Sequence, residues 1–210
     1  WDSMAQYDLP AMIDQVLLVT GQDYVYYVGH SQGTLTMFAK LSMDTKFSKK
    51  IKIFFALAPI LAAAHVKGVM KTLMTLAPPE VPSRIPVYYS HFPDGTSSLN
   101  MLHWVQMVQT GETTRLDRGT ETNVAIYGQK SPPKYNFRNV PKIPIYLFSG
   151  GNDYIAVDDD IYGSLLPKIG PSVQKHTHLP EYNHFDFVFG QQASTDVYKP
   201  IIDVIQNNLQ

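Results

Sequence analysis

Serine, aspartate and histidine occur in this chain at positions where they could together activate a hydroxyl. The serine lies in Gly29-His30-Ser31-Gln32-Gly33, which fits G-x-S-x-G. A serine hydroxyl is a weak nucleophile at neutral pH. It needs a base to take its proton and an acid to orient that base. The residues around Ser31 suggest how it would be presented. Tyr24 to Val28 is a β-branched and aromatic run that reads as a buried strand, and from Thr34 to Leu41 the apolar residues Leu35, Phe38 and Ala39 fall at helical spacing. A serine between a strand end and a helix start is a nucleophile elbow. Gly29 and Gly33 let the backbone turn without a Cβ clash, and the helix aims its first N–H groups at the serine. The competing reading is a plain Gly-Ser turn; the strand–turn–helix frame favours the elbow.

On a sheet of this kind the partners follow in the order serine, acid, histidine, each at the carboxyl end of a later strand. Asp153 follows the strand ending in Leu147-Phe148-Ser149-Gly150-Gly151, whose glycine turn would present a carboxylate at the rim. His184 lies past a further strand, in Pro180-Glu181-Tyr182-Asn183-His184-Phe185. Asp186 could also orient His184, but Asp153 obeys the strand-end rule. Asp158, Asp159 and Asp160 read as a helix N-terminus, where carboxylates are favoured. His176 and His178 alternate within a strand pattern and face one side, but no third ligand of clear spacing accompanies them, and no metal or other cofactor is expected. His30 is expected to point away from the site, and His65, His91 and His103 read as surface or packing residues.

These residues need a scaffold. Tyr7 to Thr20 reads as an amphipathic helix with Asp8 as cap, Pro10 in its first turn and Gly21 after its last. Lys50 to Ile60 is a near-continuous apolar run, as expected for a parallel strand covered on both faces. Ile143 to Asp153 and a weaker segment within Ser172 to Phe185 supply two more strands, and Asn100 to Thr110, Asp158 to Leu166 and Val197 onward read as helices. Strands alternating with helices indicate an α/β fold with a mainly parallel sheet. Leu76 to Pro93 is proline-rich and reads as irregular. In His65 to Ala77, Val66, Val69, Met70, Leu73 and Met74 form a helical stripe. The plain reading is a helix lying on the core. The sharper one is a cap helix whose methionine face meets acyl chains, since methionine adapts to loose apolar partners.

Composition narrows the classes. With 210 residues, 44% hydrophobic and 17% charged, the chain can bury a sizeable core and does not read as disordered. A net charge of −1 with no basic block removes the footprint of a nucleic-acid binder. No apolar run is long enough to span a bilayer, and no signal peptide is legible at Trp1. The absence of cysteine excludes thiol and zinc-thiolate chemistry.

Six segments, MAQYDLPAMID, YVGHSQGT, FFALAPI, YYSHFPDGTSSLNMLHWVQMVQTG, IYLFSGGNDYIA and LPEYNHFDFVFG, resemble in order the acid lipase family of α/β-hydrolases, the gastric and lysosomal acid lipases and their insect relatives. The resemblance implies an α/β-hydrolase fold, represented by its C-terminal portion with a shortened cap. It divides the chain into a hydrolase core (1–60 and 94–210) and a cap remnant (61–93). It implies hydrolysis of triacylglycerols or cholesteryl esters through an acyl-enzyme at a lipid–water interface, in a secreted or lysosomal setting. It carries Ser31 over as nucleophile, Asp153 as acid and His184 as base, with the backbone N–H of Gln32 as one oxyanion donor. Family members carry further strands and a second oxyanion loop ahead of MAQYDLP, and a large cysteine-bearing cap after LAPI; neither is present here. The missing N-terminal segment is therefore an expected partner. Other readings are an impaired hydrolase fold that binds lipid, or acyl transfer on the same scaffold.

The strand before Ser31 is then expected to be a sheet edge, exposing Tyr24, Tyr26 and Val28. Loss of one oxyanion donor alone costs roughly 10²–10³ in turnover. Residues 1–210 expressed alone are expected to be insoluble or nearly inactive. Supplying the upstream segment, in cis or as a co-purified fragment, restores labelling of Ser31 by a fluorophosphonate probe; a soluble, fully active 210-residue chain contradicts the expectation.

Overall fold

A computed structural model describes residues 1–67 and 95–209. Among the described residues, four parallel strands form one sheet: β1 (Val25–His30), β2 (Ile51–Leu57), β3 (Ile145–Gly150) and β4 (Val173–Leu179), in the spatial order β1-β2-β3-β4. Each joins its neighbour through a crossover, as parallel strands require. The helices are α1 (Leu9–Thr20), α2 (Gln32–Met43), α3 (Ser98–Thr110), α4 (Thr120–Tyr127), α5 (Asp158–Asp160), α6 (Leu166–Ile169), α7 (Asp186–Phe189) and α8 (Lys199–Asn207). One π turn, Ile161–Leu165, joins α5 to α6.

The apolar pattern explains the layering. In β2, Ile53, Phe55 and Leu57 point into one core with Phe187, Val197 and Ile201. Phe54 and Ala56 point into the other, with Leu9, Ile13, Leu165 and Ile169. A strand buried on both faces has no polar side to show, so its sequence is continuously apolar instead of alternating. The crossover α2 is almost wholly enclosed: Leu35 and Ala39 serve the first core, and Met37, Phe38 and Leu41 the second.

Several expectations shift in detail. The first helix begins at Leu9, after a π turn at Met4–Asp8, and Asp8 has helical geometry with no side-chain capping bond. Asp8 therefore continues the helical path and is not its cap. Gly21 does close α1, at φ 66°. Helix α4 lacks a strong apolar stripe and was not legible; it follows Gly119 and ends at Gly128 in the left-handed region. Strand β1 takes one end of the described sheet, with Tyr24 and Val28 exposed. Tyr26 is instead half-buried against the first core. Of the expected cap stripe, Val66 is half-buried and packs on that core, while Val69, Met70, Leu73 and Met74 lie outside the described residues, as do His91 and Leu76 to Pro93.

The turn after β3 fits against the loop after β4 with no spare room. A Cβ on Gly150 would collide with the Tyr182 carbonyl, and one on Gly151 would lie 2.5 Å from the Pro180 carbonyl oxygen. The two loops are laced by Gly151 N–H to Leu179 O (3.0 Å) and Asn152 N–H to Tyr182 O (3.0 Å). Glycine is thus required for close approach of two backbones. Gly150→Ala is expected to destabilise the protein by about 1–3 kcal/mol, as overpacking does. It should lower the urea midpoint at unchanged slope.

Candidate active site

The site assembles at the carboxyl ends of the strands. Ser31 follows β1 with φ 55° and ψ −120°, a conformation non-glycine residues rarely adopt. Its neighbours hold it there. The Ser31 N–H donates to Leu57 O at 3.0 Å, tying the elbow to β2. The Ser31 carbonyl accepts from the Thr34 N–H (2.9 Å) and the Thr34 hydroxyl (2.7 Å). That hydroxyl in turn accepts the Ile60 N–H at 2.8 Å. Gly29 cannot carry a side chain, because a Cβ there would sit 2.9 Å from the Tyr27 ring and 3.0 Å from the Gly33 backbone. The space around Gly33 is ordinary by comparison, and its carbonyl accepts from the Tyr27 hydroxyl at 3.0 Å.

Ser31 meets two side chains that lie more than 120 residues further along the chain. Ser31 Oγ lies 2.7 Å from His184 Nε2, and His184 Nδ1 lies 2.9 and 3.1 Å from the two oxygens of Asp153. His184 and Asp153 are both buried. Asp153 Oδ1 also accepts the N–H groups of Ile155 and Ala156, each at 2.8 Å, which fixes the carboxylate in its own turn. Asp186 Oδ2 accepts the Asn183 N–H at 2.7 Å and so braces the histidine loop, while Asp153 is the carboxylate on the imidazole.

Gln32 opens α2 directly after Ser31, where the first N–H groups of a helix have no intrahelical acceptor. Its side chain is held from both ends: Oε1 accepts from Trp104 Nε1 at 2.6 Å, and Nε2 donates to Met4 Sδ at 3.3 Å. Neither partner is signalled by sequence spacing.

The other histidines and acids find separate places. His30 does not point away. Its Nε2 lies 2.7 Å from the His184 carbonyl oxygen, with the two rings 4.9 Å apart. The carboxylates at the start of α5 make no side-chain capping bond. Asp158 pairs with His178 (3.0 Å), and buried Asp160 accepts both the backbone N–H and Nδ1 of His65 (3.1 and 2.8 Å). His176 meets Ser149 Oγ at 2.7 Å. His103 is buried, stacked 4.1 Å from Trp1, with Nε2 on the Thr114 carbonyl.

No protein-family model matches the chain. It is 38% identical to lipase lipl-1 of Caenorhabditis elegans over 264 residues, covering 100% of this chain and 65% of that relative. It is 33% identical to human gastric triacylglycerol lipase, covering 99% and 64%. With rat lysosomal acid lipase/cholesteryl ester hydrolase the identity is 32%, covering 98% and 64%. The chain is homologous to the acid lipases. This acid-lipase homologue spans just under two thirds of the length of those relatives. Its backbone is similar to a carboxyl esterase from Bacillus coagulans at a TM-score of 0.54 and 16% identity, covering 98% of this chain and 71% of the other. Pyrococcus horikoshii acylaminoacyl peptidase gives 0.51 at 14% identity, covering 95% and 27%. The fold of the acid-lipase homologue is that of an α/β-hydrolase.

Burial pushes the His30 imidazole down to about 4, and the charge of His184 acts in the same direction. His103 is pushed down to about 4, also chiefly by burial. Both are neutral when folded near neutral pH, whereas free imidazole titrates near 6.5. Between 6.5 and 4 the unfolded chain binds more protons, so the stability these groups hold above 6.5 is lost as pH falls through that window. His103→Gln is expected to shrink the drop in urea midpoint between about pH 7 and about pH 4.5, relative to the unsubstituted protein.

Proposed function

We propose that this protein is a serine ester hydrolase that cleaves fatty-acyl esters of neutral lipids, such as triacylglycerols or cholesteryl esters, through an acyl-enzyme. The single observation behind it is the unbroken hydrogen-bonded line from Ser31 Oγ through the His184 ring to Asp153, at 2.7 and 2.9 Å. In this reading Ser31 Oγ attacks the ester carbonyl carbon as His184 Nε2 takes the hydroxyl proton. The developing oxyanion is met by the Gln32 N–H at the head of α2. The intermediate then collapses, the alkoxy oxygen leaves with the proton from His184, and Ser31 carries the acyl group. Water attacks that acyl group with His184 again as base, releasing the fatty acid and restoring the serine. Asp153 holds the His184 tautomer and stabilises the imidazolium, remaining ionised throughout.

The lipid substrate rests on the relatives, one named a triacylglycerol lipase and one a cholesteryl ester hydrolase. Their names, gastric and lysosomal, also support a secreted or lysosomal setting. No helix among the described residues is long and apolar enough to cross a membrane. We assign 1–60 and 94–210 to the hydrolase core and 61–93 to the cap, with Val66, Val69, Met70, Leu73 and Met74 meeting the acyl chain.

The test is covalent labelling combined with turnover in the full-length protein. A fluorophosphonate labels Ser31, and Ser31→Ala abolishes both labelling and ester hydrolysis. Replacing His184 costs nearly as much, because the two act as a unit. Asp153→Asn leaves substrate binding intact and lowers turnover by roughly 10⁴. Labelling of another serine with Ser31 untouched overturns the assignment.

A further inference from the structure

The histidine beside the nucleophile makes a contact that the chemistry above does not use. The His184 carbonyl oxygen can only accept, so the His30 Nε2 at 2.7 Å carries the hydrogen and donates it. His30 is the last residue of β1 and precedes Ser31 directly. The elbow therefore meets residue 184 twice: Ser31 Oγ on the ring at 2.7 Å, and His30 on the backbone at 2.7 Å. His184 sits in the connection between β4 and the four-residue helix α7, and has no long element of its own to fix it.

We propose that His30 is a positioning residue: its N–H, held on the His184 carbonyl, sets the register of the base against the nucleophile. This rests on the reading of Ser31 and His184 as nucleophile and base. Two contacts from adjacent residues, one at the end of β1 and one in the elbow, fix both the distance and the rotation of the histidine loop, where one contact alone would leave a pivot. Phe185 and Phe187 also stand around the His30 ring, with centroids 6.2 and 6.5 Å away. The charged and titratable groups that bear on it are His184 and Asp153. Its depressed basicity keeps it a neutral donor while His184 gains and loses a proton, so the imidazolium does not face a second cation.

Three variants of the full-length protein test this against a soluble ester. His30→Gln places an amide N–H where Nε2 stood and cannot titrate, whereas His30→Leu removes the donor and His30→Asn holds its amide short of the carbonyl. His30→Leu and His30→Asn are expected to lower kcat about 10- to 100-fold with KM little changed, as misplacement of a reacting group does. Both should slow fluorophosphonate labelling of Ser31 in step, and His30→Gln should retain kcat within about threefold. If His30→Leu does not fold, His30→Asn against His30→Gln decides. Wild-type kcat in the donor-lacking variants overturns the proposal, and so does an equal loss in all three. Ser31→Ala in the same assay separates the two readings. If it is active, the nucleophile assignment falls. If it is inactive while the His30 variants match wild type, only the positioning role falls.

Discussion

Everything at this site depends on one strained residue. Ser31 holds a backbone conformation of φ 55° and ψ −120°, of a kind that costs about 1–3 kcal/mol and persists only where the surroundings over-determine it. The surroundings do so through its own backbone groups. The Ser31 N–H is committed to β2 through Leu57, and the carbonyl to Thr34 in the first turn of α2. Gly29 allows the backbone of β1 to lie against Gly33 with no Cβ between them. The strain puts the hydroxyl on a sharp crest between strand and helix, where the histidine ring reaches it.

The second requirement is that two loops far apart in sequence hold a fixed relation to that crest. The turn after β3 and the loop after β4 are locked by backbone contact at Gly150 and Gly151 and by two main-chain hydrogen bonds. The loops that carry Asp153 and His184 are therefore tied directly to each other. Parallel pairing of β3 with β4, in register from Tyr146↔Lys175 to Gly150↔Leu179, brings the ends of those strands level. A buried carboxylate costs much unless its oxygens are satisfied, and Asp153 meets that demand with two backbone N–H groups and the imidazole. The same hydrogen bonds that make its burial tolerable also fix its aim.

A third tie links the segment after β3 to the chain leading out of β2. Buried Asp160 accepts two hydrogen bonds from His65, and the Lys67 N–H donates to the Tyr154 carbonyl at 2.7 Å. The hydrogen bond and the charge of Asp160 raise the affinity of His65 for its proton. Two of the three carboxylates of α5, Asp158 and Asp160, are spent on histidines from two other segments.

Sequence alone determined what depends on local spacing. The apolar runs of β2 and β3 dictated strands because a parallel strand covered on both faces must be apolar throughout, while β4, at one end of the described sheet and interrupted by His176 and His178, was only weakly legible. G-x-S-x-G between strand and helix pointed to the elbow, and the strand-end rule singled out Asp153 and His184, whose side chains lie in hydrogen-bonded line with Ser31. Tertiary structure decided what depends on contact between distant segments. No spacing told that His30 turns toward the carbonyl of a residue 154 positions later, that Trp104 grips the Gln32 side chain, or that Asp160 receives His65. Nor did it tell that Asp8 continues a helix where its type suggested a cap. A side chain's period and its neighbours in sequence fix which face it lies on. Which polar group satisfies it across the fold is set only when the sheet order brings the loops together.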